Sequence, residues 1–156
     1  MAEGGGVKIT NKVVAYITRA DHLLVFTHPE APEAGIQVPA GSLEPGESPA
    51  EGALREAIEE TGLTALTLLA PLGETDFDIR PFGREEVHHR YFFHLECTAP
   101  TPAIWQHRDP WPSDGGPQPL FEFYWASMPH SVPLLIGGFG DLLPVLYQRL
   151  QLKESA

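Results

Sequence analysis

The sequence predicts a single α+β domain in which several strands combine with two amphipathic helices. Three observations support this prediction. The 156 residues have the length of one domain, a hydrophobic content of 42% is sufficient for a folded core, and β-rich runs occur beside one well-delimited helix. No internal repeat and no linker divides the chain, so we expect residues 1–156 to form one domain.

The N-terminal part is predicted to form a flexible arm followed by a β-hairpin. Residues 1–8 include three consecutive glycines, which carry no packing information. The β-rich runs 13–17 and 23–26 flank the turn-like residues 19–22, a pattern typical of two antiparallel strands. Residues 28–35 contain two prolines and are predicted to form a loop.

The clearest helix is predicted for residues 48–62. Ser48 suits the N-cap, Pro49 suits the first helical position, and Glu51 completes a capping box of the S-x-x-E type. Gly62 ends the helix, because glycine readily adopts the left-handed conformation found after many helices.

Two strands are predicted after this helix. Residues 63–72 are apolar and strand-like, and residues 87–97 alternate with the period of a strand. In the second strand, one face carries Val87, His89, Tyr91, Phe93, Leu95 and Cys97, and the other carries His88, Arg90, Phe92, His94 and Glu96. We interpret the first face as apolar and the second as polar.

The C-terminal part is predicted to begin with a long irregular segment. Residues 99–119 contain six prolines, and loops of this length inside a compact domain are usually functional or mobile. Residues 121–125 resume a strand. Residues 141–152 are periodic enough for a terminal helix, in which Pro144 is tolerated only near the first turn.

The charge balance argues against a nucleic-acid partner and for a soluble cytoplasmic protein. Ten basic and 21 acidic residues give a net charge of −11, whereas binding a polyanion requires clustered Lys and Arg. A single cysteine, Cys97, excludes an internal disulfide and fits a reducing compartment. No apolar run reaches the roughly 20 residues of a membrane span, and no secretory signal is recognisable.

The acidic residues of the predicted helix form the most informative cluster in the chain. Residues 41–63 read GSLEPGESPAEGALREAIEETGL. At about 100° per residue, Glu56, Glu59 and Glu60 fall within an arc of roughly 100°, opposite an apolar side that can pack on a sheet. Crowded carboxylates repel each other, and a hard divalent cation such as Mg²⁺ relieves that repulsion. The alternative is a solvated acidic face, which is common on helices.

These residues resemble the signature of the Nudix hydrolase family, G-x5-E-x7-R-E-U-x-E-E-x-G-U, where U is a bulky aliphatic residue. All seven fixed letters are present at the required spacing, and this register argues against a merely solvated face. Ala57 is smaller than the usual residue at the first U, a departure that concerns packing. The resemblance implies an α/β/α sandwich with a mixed, curved sheet.

The resemblance also implies the metal ligands. At the matching positions, Glu56, Glu59 and Glu60 would bind Mg²⁺ (or Mn²⁺), assisted by the backbone carbonyl of Gly41. In the family, this loop–helix–loop segment binds both the metal and the diphosphate of the substrate. We therefore expect a small nucleotide as the binding partner.

The catalytic roles follow in part from the same resemblance. Arg55 is interpreted as a residue that orients a glutamate through an ion pair with Glu47. The general base is open: Glu59 is one candidate, and Glu85 or Glu86 are candidates outside the segment. For Glu85 and Glu86, two exposed acids in a turn are the alternative interpretation.

Four residues outside the segment are candidates for substrate binding: Arg90, Trp105, Trp111 and Glu86. Arg90 is preferred over Arg80 and Arg84 for a phosphate or a ribose, because a guanidinium offers a fork of donors. The two tryptophans, placed in the predicted loop, would stack on a nucleobase, although core packing is the alternative.

The sequence thus predicts a metal-dependent hydrolase that cleaves the pyrophosphate bond of a nucleoside diphosphate linked to another moiety. Nucleotide sugars, ADP-ribose, dinucleoside polyphosphates and nucleoside triphosphates all meet this description. Two rivals are a nucleotide-sensing module of the same fold that does not cleave, and a diphosphate isomerase. The sequence also leaves a homodimer open.

Overall fold

The computed structural model describes residues 6–110, 112 and 115–153. Most of the predicted N-terminal arm (residues 1–5) and Trp111 lie outside these residues. The elements are β1 (Lys8–Arg19), β2 (His22–Thr27), β3 (Ala40–Ser42), α1 (Pro49–Thr61), β4 (Leu66–Asp78), β5 (Glu86–Cys97), β6 (Ile104–Arg108), β7 (Leu120–Ser127) and α2 (Leu143–Arg149). Because β1 begins at Lys8, the predicted arm is slightly too long.

The sheet is mixed, as the resemblance implied. Its strands follow the order β4-β5-β1-β2-β7-β6, with β3 paired to β1 outside this path. β1 and β5 are parallel, and the other pairs are antiparallel. β1 pairs with β2 only next to the hairpin turn, at Thr18 and Arg19, and further back it pairs with β3 instead. β1 and β2 therefore diverge with increasing distance from the hairpin turn. We call the gap between them the fork of the sheet, and the candidate site described below lies in this gap.

Helices cover both faces of the sheet and produce an α/β/α sandwich. On β1, Val13, Ala15 and Ile17 point into the core beneath α1, whereas Val14 and Tyr16 point into the core beneath α2. Consecutive side chains of a strand point to opposite faces, so a strand buried on both faces has a continuous apolar run. Complete burial of such side chains contributes about 1.5–3 kcal/mol each.

The predicted helix is confirmed with both of its ends. α1 has Ser48 as its N-cap with a complete capping box to Glu51, and Gly62 follows it in the left-handed conformation at φ 78°. Its 13 residues are the longest helical run described. No helix in the described part of the chain is long and apolar enough to cross a membrane.

One prediction about the second half is wrong. The segment 99–119 is not irregular throughout, because residues 104–108 form β6, which pairs with β7. The second face of β5, predicted to be polar, carries Arg90 and His94, but both are buried together with Phe92 on the α2 side of the sheet. Alternation in a sequence shows that two faces differ, but it does not show whether another element covers the second face.

Candidate active site

Three buried carboxylates meet at the fork of the sheet. Glu56 and Glu60 come from successive turns of α1, and Asp109 directly follows β6. Their exposed fractions are 2%, 7% and 2%, and one oxygen of each lies within 4.8 Å of the other two. The sequence does not predict Asp109 as a site residue, because its position depends on β6, which lies within the segment predicted to be irregular.

The electrostatics of this group fit a divalent cation. Glu60 Oε1 accepts a hydrogen bond from the Ala40 amide at 3.0 Å. Burial, and after it the neighbouring charge of Glu56, raises the pKa of Glu60 well above its usual value. Buried like charges destabilise a fold unless a counter-charge is present. The donors are all oxygen atoms, which Mg²⁺ and Mn²⁺ prefer.

Gly41 is required by the close approach of β3 to α1. A Cβ atom at this position would overlap the Glu56 carboxylate. Ala57, the small residue within the motif, is fully buried in the core beneath α1. The absence of a side chain at Gly41 lets the acidic side of the helix lie directly against β3.

Arg55 orients the carboxylates, in agreement with the predicted ion pair. Its Nε and Nη2 donate to the two oxygens of Glu47 at 2.7 and 2.9 Å. Its Nη1 donates to Glu56 Oε2 at 2.9 Å, and its Nη2 also reaches the Ser42 carbonyl at 3.0 Å. The hydrogen bonds that Arg55 donates to Glu47 lower the pKa of Glu47. Arg55 therefore fixes the orientation of Glu56 while it ties the loop before α1 to the helix.

Glu59 lies beside Arg55 and outside the three-carboxylate group. Its Oε1 accepts from Arg55 Nη1 at 3.3 Å. Burial raises the pKa of Glu59, whereas the Arg55 charge opposes this shift. The structure thus brings Glu56 and Glu60 together but does not place Glu59 with them, and metal binding by Glu59 stays a prediction.

β6 attaches to the C-terminal end of α1 through alternate side chains. Trp105 Nε1 donates to the Thr61 carbonyl and His107 Nε2 donates to the Glu59 carbonyl, each at 3.0 Å. Side chains two residues apart in a strand point the same way, so the next one, Asp109, reaches the carboxylates. These two donors satisfy helix carbonyls that have no partner within α1.

The structure places Trp105 in a strand rather than in the predicted loop. Its ring stacks on Phe123 with centroids 5.3 Å apart. This contact supports the packing alternative, and a base-stacking role for Trp105 stays a prediction. The same prediction for Trp111 concerns a residue outside those described.

Glu86 is buried, so the exposed-turn interpretation is wrong for this residue. Its carboxylate accepts a hydrogen bond from Thr10 Oγ1 at 2.5 Å, forms an ion pair with Arg84 Nη2 at 2.9 Å, and lies 3.1 Å from His88 Nε2. The hydrogen bond from Thr10 lowers the pKa of Glu86. Glu86 lines a cavity of about 470 Å³ together with Glu60 and Asp109. We refer to this space as the larger cavity.

Comparisons with known proteins agree with this geometry. A model of the NUDIX domain family matches residues 8–114. An RNA pyrophosphohydrolase of Brucella ovis is 44% identical over 46 residues, which are 29% of this chain and 26% of that protein. The chain thus matches about a quarter of the length of this curated relative.

Solved structures share the fold at low sequence identity. A UDP-X diphosphatase aligns with a TM-score of 0.65 and 18% identity, covering 92% of this chain and 64% of that one. The E. coli ORF135 protein aligns with a TM-score of 0.63 and 20% identity over 99% of both chains. The family match spans more than half of the chain and includes the motif and all three residues of the carboxylate group. The chain therefore belongs to the Nudix hydrolase family.

Proposed function

We propose that this protein is a metal-dependent pyrophosphohydrolase that cleaves a nucleoside diphosphate linked to another moiety. The observation that carries the proposal is the buried group of Glu56, Glu60 and Asp109 beneath an open cavity. A group of three buried carboxylates has no evident structural benefit, because mutual repulsion and desolvation both oppose folding. Its presence is explained if a cation and an anionic substrate complete the site.

The residues divide into metal-holding and positioning roles. Glu56, Glu60 and Asp109 would hold Mg²⁺ or Mn²⁺, with the Gly41 carbonyl and Glu59 as predicted additional ligands. Such an ion, when bound, neutralises phosphate oxygens and lowers the pKa of a coordinated water. Arg55 keeps the Glu56 carboxylate in place through Nη1.

Of the three candidates for the general base, Glu85 is exposed, whereas Glu59 and Glu86 are at least partly buried. The pKa of Glu59 is raised by burial, and a base works best when its pKa is close to the working pH. Glu86 lies across the larger cavity, but its hydrogen bond from Thr10 holds its pKa low. We therefore favour Glu59 as the residue that accepts the proton of the attacking water.

The substrate is proposed to be a small nucleotide. The relatives include one protein named for UDP-X and one named for RNA. The net charge of −11 disfavours long nucleic acids, so we propose mononucleotide derivatives. A cytoplasmic location belongs to the same proposal, and a homodimer stays a prediction.

The two rival functions lack comparable support. A sensor that does not cleave needs no buried carboxylate group. An isomerase that relies on a cysteine would need an accessible thiol, but Cys97 is buried in the core beneath α1 and its thiol donates to the Ala99 carbonyl.

Product analysis by mass spectrometry tests the proposal. The panel contains ADP-ribose, dinucleoside polyphosphates, NADH, nucleotide sugars and nucleoside triphosphates, each incubated with Mg²⁺. We expect hydrolysis of at least one compound, abolished by chelator and by Glu56→Gln. If the protein is folded and binds Mg²⁺ but hydrolyses none of these compounds, the result would favour the sensor. A product of unchanged mass would favour the isomerase.

A further inference from the structure

A second, smaller cavity of about 280 Å³ adjoins the carboxylate group. It shares Lys12 and Ala40 with the larger cavity, and Gly41 forms part of its wall. Pockets that enclose whole ligands usually measure roughly 300–1,000 Å³. The smaller cavity therefore suits one chemical group of a substrate whose remainder lies elsewhere.

Arg90 in the wall of this cavity is a buried charge without a carboxylate partner. Its exposed fraction is 4%, and its guanidinium lies between the rings of Phe77 and Phe139, 4.3 and 4.2 Å from their centroids. Nη1 donates to the Gly137 carbonyl at 2.5 Å. Among the residues that the structure describes, no acidic side chain forms an ion pair with it, and Asp141, which acts on its charge, is exposed.

A buried guanidinium is stable only when hydrogen bonds and opposite charge compensate for lost hydration. The two rings contact the faces of the Arg90 guanidinium, and Gly137 accepts from one of its nitrogens. A guanidinium has five N–H donors. The donors at its edge that Gly137 does not use are thus available to a group in the cavity.

Two more cationic or donor groups line the same cavity, and no carboxylate among the described residues does. These groups are Lys12 and His88, and Gln37 adds an amide. Burial lowers the pKa of Lys12, the charges of Glu86 and Glu56 oppose this shift, and the charge of Arg90 adds a smaller contribution in the direction of burial. Burial also lowers the pKa of His88, with a further contribution from Lys12. The cavity thus gathers positive charge that an anion would stabilise.

The larger cavity differs in its charge. Its basic residues Lys8 and Arg84 are accompanied by Glu60, Glu86 and Asp109. Lys12 lines both cavities beside the carboxylate group. The lining of the smaller cavity contains Arg90 and Lys12 without a carboxylate among the described residues, whereas the lining of the larger cavity contains both basic and acidic side chains.

We propose that the smaller cavity binds a terminal phosphoryl group of the substrate, held by Arg90 and Lys12. The proposal rests on the proposed hydrolase function and specifies its substrate class. The diphosphate that is cleaved would lie at the carboxylate group, and the chain of phosphates would continue past Lys12 into the cavity. The preferred substrates are therefore compounds with at least three consecutive phosphates, and nucleotide sugars are poor substrates.

Phosphate binding is measured first without turnover, in chelator, so that the result does not depend on hydrolysis. Inorganic phosphate and pyrophosphate are titrated into ¹⁵N-labelled protein, and amide shifts are followed at Gln37, Gly41 and Gly137. We expect saturable shifts at these positions. Lys12→Gln and Arg90→Lys should each weaken binding about tenfold, since a hydrogen bond between charged groups supports a change of this size.

The matched control is Lys8→Gln, the same substitution four residues earlier on the same face of β1. Lys8 lines the larger cavity and does not line the smaller one, so phosphate affinity should be unchanged. If Lys8→Gln weakens phosphate binding and Lys12→Gln does not, the anion site lies in the larger cavity and the proposal is wrong. Unfolding temperatures of all variants separate binding effects from loss of structure, and Lys12→Gln keeps the test valid if Arg90→Lys does not fold.

Turnover then tests the substrate class. Arg90→Lys, at a residue that lines the smaller cavity and not the larger one, should lower kcat/KM for a nucleoside triphosphate about tenfold and for a nucleotide sugar much less. Lys12→Gln should give losses in the same order. Equal losses on both substrates would overturn the inference. If phosphate binds as expected but no compound is hydrolysed, the anion site stands and the hydrolase proposal fails.

Discussion

Glu60 is buried, has a raised pKa and lies beside two other carboxylates. Its replacement should therefore have opposite effects on the stability of the metal-free protein and on turnover. Glu60→Gln keeps the shape of the side chain and an oxygen that can accept from the Ala40 amide. It removes the negative charge that a cation requires. We expect kcat to fall roughly 10²-fold or more, measured by steady-state turnover with Mg²⁺.

The same variant should be more stable than the wild type in the absence of metal. A carboxyl whose pKa is raised on folding destabilises the fold increasingly as the pH rises from its unfolded pKa, about 4.3, through its folded pKa. Glutamine has no such titration. Unfolding temperatures in chelator should therefore favour Glu60→Gln by a margin that grows with pH, and Mg²⁺ should reverse the order. Full activity in the variant would exclude Glu60 as a metal ligand.

Arg55 connects four separate acceptors, one of which is Glu59, and lysine cannot replace that connection. Its guanidinium reaches Glu47, Glu56 and the Ser42 carbonyl with different nitrogens, whereas an ammonium is a single point of charge. Arg55→Lys should lower kcat/KM and the affinity for Mg²⁺ by about 10–100-fold. Arg108→Lys, which changes an exposed pair with Glu30, is the matched control, and equal effects of both would contradict the assigned role.

At the scale of elements, β6 decides how the site is assembled. It contributes Asp109 to the carboxylate group, and it satisfies the last carbonyls of α1 through Trp105 and His107. The motif helix therefore cannot form the site alone. Asp109 depends on a strand whose position is set by its pairing with β7.

α2 is joined to the sheet through His94, and this contact should make stability depend on pH. Arg149 Nε donates to His94 Nδ1 at 3.0 Å, and His94 Nε2 lies 2.7 Å from Thr18 Oγ1. Burial, with the Arg149 charge, lowers the pKa of His94 to about 4. A neutral ring is required here, because protonation would occupy the nitrogen that accepts from Arg149.

Because the pKa of His94 is lowered on folding, the free energy of unfolding should decrease as the pH falls. Between about pH 6.5 and pH 4 the unfolded chain binds a proton at this histidine and the folded protein does not, so stability falls as the pH falls. We expect His94 to account for a loss of about 2 kcal/mol over this range. Urea unfolding of the wild type, His94→Gln and the exposed-residue control His130→Gln measures it. A difference between the wild type and His94→Gln that does not vary with pH would contradict the prediction.

At the scale of the whole molecule, we expect the net charge of −11 to favour small phosphorylated substrates over large ones. A 5′-triphosphorylated RNA carries many backbone charges outside the cavities, and an acidic surface repels them. We expect kcat/KM for such an RNA to be lower than for the corresponding nucleoside triphosphate and not to decrease when salt is added. A steep loss with salt would reveal a basic RNA-binding surface and would refute the preference for mononucleotides.

The sequence by itself determined the motif helix and both of its ends, and it is the source of the metal chemistry proposed above. Ser48, Glu51 and Gly62 act through contacts with near neighbours in the chain, so local rules predict α1 correctly. The ion pair of Arg55 with Glu47 spans eight residues of the same loop and helix. The helix ends could be predicted because the interacting residues are close in sequence, whereas the ion pair was implied by the resemblance to the family.

Only the tertiary structure decided which carboxylates are buried together and what surrounds them. The pairing of β6 with β7 brings Asp109 close to residues about 50 positions earlier in the chain. Glu56 and Glu60 lie together with Asp109 at the fork of the sheet, whereas Glu59 lies outside this group and accepts a hydrogen bond from Arg55. The cover over Arg90 likewise comes from Phe77 and residues near α2. These contacts join segments distant in sequence, and alternation or helical periodicity specifies a face without specifying what packs against it.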